Sequence, residues 1–296
     1  MAAMSEFDAD AYTAEASRTW TEAAPRYDKL ASALFGPTAD AFIEFAGVRR
    51  GWRVLDVACG PGLAARAAAR RAGETGRVLA VDLAPGMIAL AGARPAARRV
   101  APIEWRVMDA QRLEVSDASF DAVLCQLGLM LFGRPERALA EMRRAAAPGA
   151  PVACLVQGRR HAMQFTSLVF DAIVARAPHL RAPKGAPTLF AFGPDGVLEE
   201  AFAKAGLTEI VTRRLAGTFR FPSAEAYWET MIEGSGRTRA MLDSLAAEIR
   251  AKIKADVVRR AGKRKQGRSI EIAYEFAMAR GFAPRRPAAA PASRPR

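Results

Sequence analysis

The chain has 296 residues, 51% of them apolar, with 44 Lys and Arg against 31 Asp and Glu, a net charge of +13. That length carries one large domain, or one domain with a cap, around a sizeable core. No apolar run reaches the ~18 residues of a spanning helix, and the acidic first ten residues lack the apolar segment of a secretory signal, so a cytoplasmic protein is expected.

In chain order, residues 11–45 read as two helices. Trp20, Ala24, Tyr27 and Leu30 recur at helical spacing, and Pro25 is expected to interrupt them. Next comes Val54-Leu55-Asp56-Val57-Ala58-Cys59-Gly60-Pro61-Gly62. Its apolar run predicts a buried strand over 53–58, and the alanine-rich pattern after Gly62 predicts a helix over 63–72. Glycine carries no Cβ, so the turn between them lets the backbone approach a ligand closely, and the helix start adds free N–H groups. Asp56 places a carboxylate at the C-terminal end of the strand. A ligand with a cationic and a polar part suits this place.

Two ligand classes share such a turn. A dinucleotide is one, because Gly60-x-Gly62-x-x-Ala65 satisfies the loose glycine fingerprint. S-adenosylmethionine (SAM) is the other. Asp56 favours SAM, since a pyrophosphate gains nothing from a neighbouring carboxylate while an α-ammonium or a sulfonium does. A second strand over 78–81 ends at Asp82, about twenty residues beyond Gly62, where a carboxylate accepts from ribose hydroxyls in either class. Residues 103–108 alternate as a third strand that ends at Asp109-Ala110. Three acidic strand ends in succession set three carboxylates along the edge where open α/β sheets bind ligands.

The motif of an apolar pair, Asp56 and Gly60-x-Gly62 resembles the class I SAM-dependent methyltransferases. So do Asp82-Leu83-Ala84-Pro85-Gly86-Met87-Ile88, Asp109, and the fourth-strand run Ser119-Phe120-Asp121-Ala122-Val123-Leu124-Cys125. Trp20 with Tyr27-Asp28 is similar to a segment that folds over the cofactor in the ubiquinone/menaquinone-biosynthesis type. The likeness is specific over 54–157 and looser to 281. It implies a Rossmann-like, seven-stranded, mostly parallel sheet with helices on both faces, an antiparallel last strand and helical cap insertions. It also implies SAM as cofactor, held by Tyr27, Asp56, Ala58, Gly60, Gly62, Asp82, Leu83, Met87, Asp109, Ala110 and Gln126. After Gln126 the chain lacks the Asn/Asp-Pro-Pro-aromatic motif of DNA amino-methyltransferases.

Beyond the fourth strand, a helix is predicted over 135–147, a strand over 151–157 and a helix over 165–175. His179, Pro183 and Pro187 mark a loop. Gly193 to Gly196 opens a short helix, residues 209–221 form the sixth strand, and Ser223 starts a helix with Tyr227, Trp228 and Met231. Leu242, Leu245, Ile249, Ile253 and Val257 predict one further helix, and residues 269–279 the last, antiparallel strand. The resulting plan is an N-terminal helical lid (1–50), a SAM-binding core (51–158), an acceptor-binding cap with C-terminal strands (159–281), and a disordered Pro-, Ala- and Arg-rich tail (282–296). Phe165, Phe190, Tyr227 and Trp228 are expected to give the cap its apolar surface.

Methyl transfer is an in-line displacement, so positioning supplies much of its catalysis. A base is needed only where the acceptor must lose a proton. His161, just after the fifth strand, is the candidate general base; His179 is the other histidine. Carboxylates are sparse past the fourth strand, so no metal is expected. Cys59, Cys125 and Cys154 have neither disulfide nor zinc spacing and read as small apolar fillers.

The basic surplus is mostly scattered arginine pairs. Its densest cluster is Lys263-Arg264-Lys265-Gln266-Gly267-Arg268, with Arg259-Arg260. That cluster has no interleaved aromatics for base stacking, so nucleic acid is not the expected partner. The expected function is O- or C-methylation of a small organic acceptor, aromatic or polyketide-like, by a monomer or homodimer. An RNA methyltransferase, an NAD(P)-dependent oxidoreductase and a non-catalytic SAM-binding protein are the alternatives.

Overall fold

A computed structural model describes residues 7–95 and 97–285, and within it seven strands form one continuous sheet in the order β3-β2-β1-β4-β5-β8-β6. The parallel half is β1 (Arg53–Val57), β2 (Arg77–Asp82), β3 (Ile103–Val107), β4 (Ala122–Gln126) and β5 (Pro151–Gln157). The long strand β8 (Ser269–Phe282) runs antiparallel to β5 on one side and to β6 (Thr208–Phe221) on the other. A two-residue strand, β7 (Lys265–Gln266), hairpins onto the start of β8 through Gly267. Strand order reverses between β1 and β4, and such a switch point opens a crevice at the C-terminal strand ends.

Alternation along β1 decides what faces what. Leu55 and Val57 enter the core under α5 (Pro135–Ala145) and α7 (Val197–Lys204). Val54 faces the opposite core, and Asp56 shares its side. That second core is built with α2 (Gly36–Ala46), α3 (Leu63–Ala72), α6 (Gln164–Arg176), α8 (Ala224–Gly234) and α10 (Ala247–Gly262). Helices on both faces of a largely parallel sheet follow from strands that are apolar on both sides.

The N-terminal helix α1 (Ala9–Leu34) begins at Asp8, whose carboxylate accepts from the Asp10 and Ala11 N–H groups at 2.9 and 3.0 Å. It runs unbroken through Pro25, where an interruption was expected. Proline removes the N–H that would bond the Thr21 carbonyl. On that stretch α1 meets α4 (Pro85–Ala93): a Cβ on Gly86 would lie 2.6 Å from the Thr21 oxygen. Packing against α4 carries the helix across the proline.

Further along, the single helix expected through Leu242 and Val257 is two, α9 (Gly236–Asp243) and α10. The Ser244 hydroxyl bonds back to the Met241 carbonyl at 2.8 Å, and Ala246 turns to an extended conformation. The tail expected to be disordered lies outside the described residues from 286 onward, while residues 282–285 belong to or follow the end of β8.

Candidate active site

At the switch point the chain leaves β1 into a tight loop. Ala58 has φ +55°, Gly60 +51° and Gly62 +87°. The Cys59 N–H bonds to the Val81 carbonyl at 3.0 Å, and the Gly60 N–H donates to Asp82 Oδ2 at 2.8 Å. Asp82 Oδ1 takes the Ala84 N–H at 2.9 Å. One carboxylate at the end of β2 thus fixes both the glycine loop and the start of α4. Burial pushes the Asp82 carboxyl up, against these two donors.

Asp56 is different. It is fully buried, and among the described residues neither carboxylate oxygen has a hydrogen-bond partner. Burial pushes its carboxyl up to about 8, only partly offset by the nearby Ala65 N–H and reinforced by Asp82. A buried polar group without a partner is costly, and this one lines a cavity.

The cavity opens over the ends of β1, β2, β3 and β4. Asp56, Ala58 and Gly60 line it from β1 and its loop, and Asp82, Leu83 and Met87 from β2 and α4. Asp109 and Ala110 line it after β3, Gln126 at the end of β4, and Tyr27 from α1. Asp109 Oδ1 accepts from the Gln111 N–H at 2.9 Å. Tyr27 lies over the loop, with its ring 3.9 Å from where a Cβ on Gly60 would stand, and it meets Trp20 edge to face at 5.2 Å. Burial beside Asp82 pushes the Tyr27 phenol up.

Two residues from the sequence reading are not brought to this cavity. Gly62 does not line it. It caps the start of α3, and a Cβ there would fall 2.5 Å from the Trp105 ring of β3. His161 is exposed in the turn between β5 and α6. β5 runs parallel to β4 and ends on the same edge of the sheet as the crevice, which is why His161 was expected beside the acceptor. Instead the Gly158 N–H bonds to the Glu275 carbonyl at 2.8 Å and the Arg159 N–H to Glu275 Oε1 at 3.0 Å, so the chain leaves toward β8.

The aromatic cap is also internal. Tyr227 is fully buried and donates to the Phe165 carbonyl at 2.7 Å, while Phe165 and Trp228 are buried in the same core. None of the three lines the cavity over Asp56, and neither does Phe190.

Other lining residues went unread in the sequence. Tyr12, Thr13 and Ala16 extend the α1 stripe that Trp20 and Tyr27 continue and that ends at Ala31 and Phe35. The helical spacing of that stripe was the available signal. Gln111 had none. It takes the Arg134 N–H on its Oε1 at 2.8 Å and donates to Thr13 Oγ1 at 3.2 Å, tying the end of β3 to α1 and α5. Leu127, with φ +61°, Gly128, Leu131, Phe132 and Gly133 continue the wall past Gln126.

α1 is pinned across the cavity at both ends. Asp10 pairs with Arg134, Asp28 with Arg94, and the Ser17 hydroxyl bonds to the Leu83 carbonyl at 3.0 Å between them. Among the described residues, no cluster of His, Cys, Asp and Glu is placed to hold a metal, and no helix is long and apolar enough to cross a membrane.

Residues 54–149 match the methyltransferase domain family. With the strand order described above, this region resembles the class I SAM-dependent methyltransferases. Among curated proteins the chain is similar to the ubiquinone/menaquinone biosynthesis C-methyltransferase UbiE of Bordetella avium (strain 197N), at 39% identity over 131 residues, 43% of this chain and 50% of that protein. The chain spans about half the length of the curated relatives it matches.

Among solved structures, the phosphoethanolamine N-methyltransferase 2 of Haemonchus contortus, in complex with phosphomonomethylethanolamine and S-adenosylhomocysteine, matches with a TM-score of 0.51 at 19% identity, covering 84% of this chain and 53% of that one. The 4+2 cyclase SpnF matches with a TM-score of 0.50 at 20% identity, covering 85% and 81%. These are likenesses of fold alone, and the fold does not choose the reaction.

Proposed function

We propose that the protein transfers the methyl group of SAM to oxygen or carbon of a small apolar acceptor, using the cavity under α1. The observation that carries this reading is Asp56: a buried, unpartnered carboxylate facing a cavity to whose lining the described residues bring no Lys, Arg or His. A ligand ammonium supplies what that carboxylate lacks, and a pyrophosphate would meet three carboxylates and no cation. In this assignment Asp56 takes the α-ammonium, and the loop through Gly60 approaches the amino-acid part. Asp82 keeps a free lone pair on each oxygen for ribose hydroxyls, and Asp109-Ala110, Leu83 and Met87 hold the adenine. SAM supplies a methyl carbon already bonded to a cationic leaving group. The chain's part is to align it, to close α1 over it and to keep water out.

The acceptor end falls to the wall of Gln126, Leu127, Leu131, Ala31 and Phe35. With no cation in the lining, an acceptor carboxylate or phosphate finds no partner there. With no basic imidazole or amine in the lining, the acceptor has to lose its own proton, as an acidic phenol or a 1,3-dicarbonyl carbon does near neutral pH. The resemblance to C-methyltransferases over the matched segment supports the same choice.

Calorimetry with SAM and with NAD tests the cofactor assignment, and NAD binding without SAM binding overturns it. Turnover is then screened over phenols, 1,3-dicarbonyls, amines and carboxylates, with and without chelator. Expected is activity on the first two classes, undiminished by chelator, with a pH profile that follows the acceptor's pKa. Substituting His161→Ala is expected to leave that profile in place. A profile that changes in this variant would restore a role for His161.

The two ion pairs make the lid testable apart from chemistry. Asp28 follows Tyr27 directly, and its pair with Arg94 is partly shielded from water. Substituting Asp28→Asn should cost about 1 kcal/mol of lid closure, a roughly fivefold weaker SAM affinity. The reversed pair Asp28→Arg with Arg94→Asp should recover most of it. No recovery in the double variant would show that the pair does not hold α1 closed.

A further inference from the structure

A second cavity lies on the far side of α6, where the loop after that helix folds back on it. Phe170 and Val174 of α6 form one wall, Leu180, Pro187 and Phe190 of the loop another, and Met241 of α9 closes an end. Its volume is about 340 Å³, within the roughly 300–1,000 Å³ range of small-molecule sites. Among the described residues, the only charged ones in its lining are Arg160 and Arg181. The cavity under α1 has the opposite character, since carboxylates are the only charged groups that the described residues bring to it.

The two arginines are not equivalent. Arg160 is held in place: its guanidinium lies 5.2 Å from the centre of the Phe190 ring, and its Nε donates to Asp171 Oδ1 at 2.9 Å. Stacking on an aromatic ring fixes the plane of a guanidinium and leaves its remaining N–H edge directed. Arg181 is exposed and makes no ion pair among the described residues. Asp171 balances one of the two positive charges, so the cavity rim keeps an uncompensated one above an apolar floor.

We propose that this cavity binds an amphipathic monoanion: a carboxylate or sulfonate carried on a flat apolar body of about naphthalene size. The body fills the space between Phe170, Val174, Leu189 and Met241, and the anionic group takes the N–H fork of Arg181 with Arg160 at its side. A guanidinium suits such a group because it donates two parallel hydrogen bonds. The proposal is independent of the methyl-transfer reading, since it uses none of the residues around Asp56.

The test titrates the full chain with 2-naphthalenesulfonate and with the neutral 2-naphthalenesulfonamide, followed by calorimetry. The sulfonate is expected to bind at least tenfold more tightly than the sulfonamide. Substituting Arg181→Gln, a surface change that leaves the core intact, should weaken the sulfonate at least fivefold without altering the protein's melting temperature. Substituting Val174→Trp should fill the cavity and abolish binding of both. Saturating S-adenosylhomocysteine should leave the sulfonate affinity unchanged. Equal binding of the two compounds, full retention of affinity in Arg181→Gln, or displacement by S-adenosylhomocysteine would each overturn the proposal.

Discussion

Substituting Asp56→Asn is expected to make the ligand-free protein more stable at pH 8 while weakening SAM binding about a hundredfold. Both effects come from one buried carboxyl. In an unfolded chain an aspartate ionises near pH ~3.9. In the folded protein burial raises that value to about 8. Between these limits the folded state binds the extra proton, so this group's contribution to stability is fully present below pH ~4 and is lost as pH rises toward 8. Asparagine does not ionise and shows no such loss, so the stability gap between variant and parent should open across this window and level off above it.

Ligand affinity should move the other way. A bound ammonium requires the ionised carboxylate, so SAM affinity of the parent should rise about tenfold per pH unit below 8 and then flatten. Binding to the Asp56→Asn variant should be weak and nearly independent of pH. The hundredfold loss corresponds to about 2.7 kcal/mol, the size expected when a charged partner is removed from a buried pair. Thermal melts from pH 5 to 9, with and without SAM, together with calorimetry, measure both trends. Equal SAM affinity in variant and parent at pH 8 to 9, where the carboxylate is ionised, would show that Asp56 does not face the ammonium.

What the sequence made legible is the part of the fold written in local chemistry. The apolar run before Asp56, the glycines after it and the acidic residues at 82 and 109 depend on near neighbours along the chain, and they mark the C-terminal ends of three adjacent parallel strands. The antiparallel last strand was legible in the alternation of Ile270, Ile272, Tyr274 and Phe276. The rest was decided by partners far away in sequence. Pro25 reads locally as a break, but packing of Thr21 on Gly86 keeps α1 in one piece. Aromatic composition cannot say which way a ring points, and Tyr227 and Phe165 went into the core. His161 follows a strand end, as ligand-side residues do. Its strand, however, pairs with β8, and Glu275 draws the chain to that side. Gln111 joins three elements through one amide, and nothing in its neighbours along the chain announces it.

Gly62 is the residue for which sequence and structure suggest different roles, and a double-mutant cycle separates them. The motif reading makes it a cofactor contact. The structure gives it two other reasons to be glycine. Its φ of +87° is a conformation that an L side chain adopts at a cost of about 1–2 kcal/mol. A Cβ would also stand 2.5 and 2.9 Å from two carbons of the Trp105 ring, over which the Arg66 guanidinium lies 5.5 Å from the centroid. Overpacking of this kind costs about 1–3 kcal/mol. Substituting Gly62→Ala should therefore destabilise the fold by about 2–5 kcal/mol. Adding Trp105→Val removes the ring, so the steric part should be recovered as a coupling energy above about 1 kcal/mol, while the backbone part remains. In the double variant the loop is still anchored by the Gly60 N–H on Asp82, and SAM affinity should stay within about threefold of the parent, less than 1 kcal/mol. Denaturant melts of the four proteins give the coupling, and calorimetry gives the affinity. A double variant that folds as expected yet binds SAM more than tenfold weaker would return Gly62 to the ligand's surface.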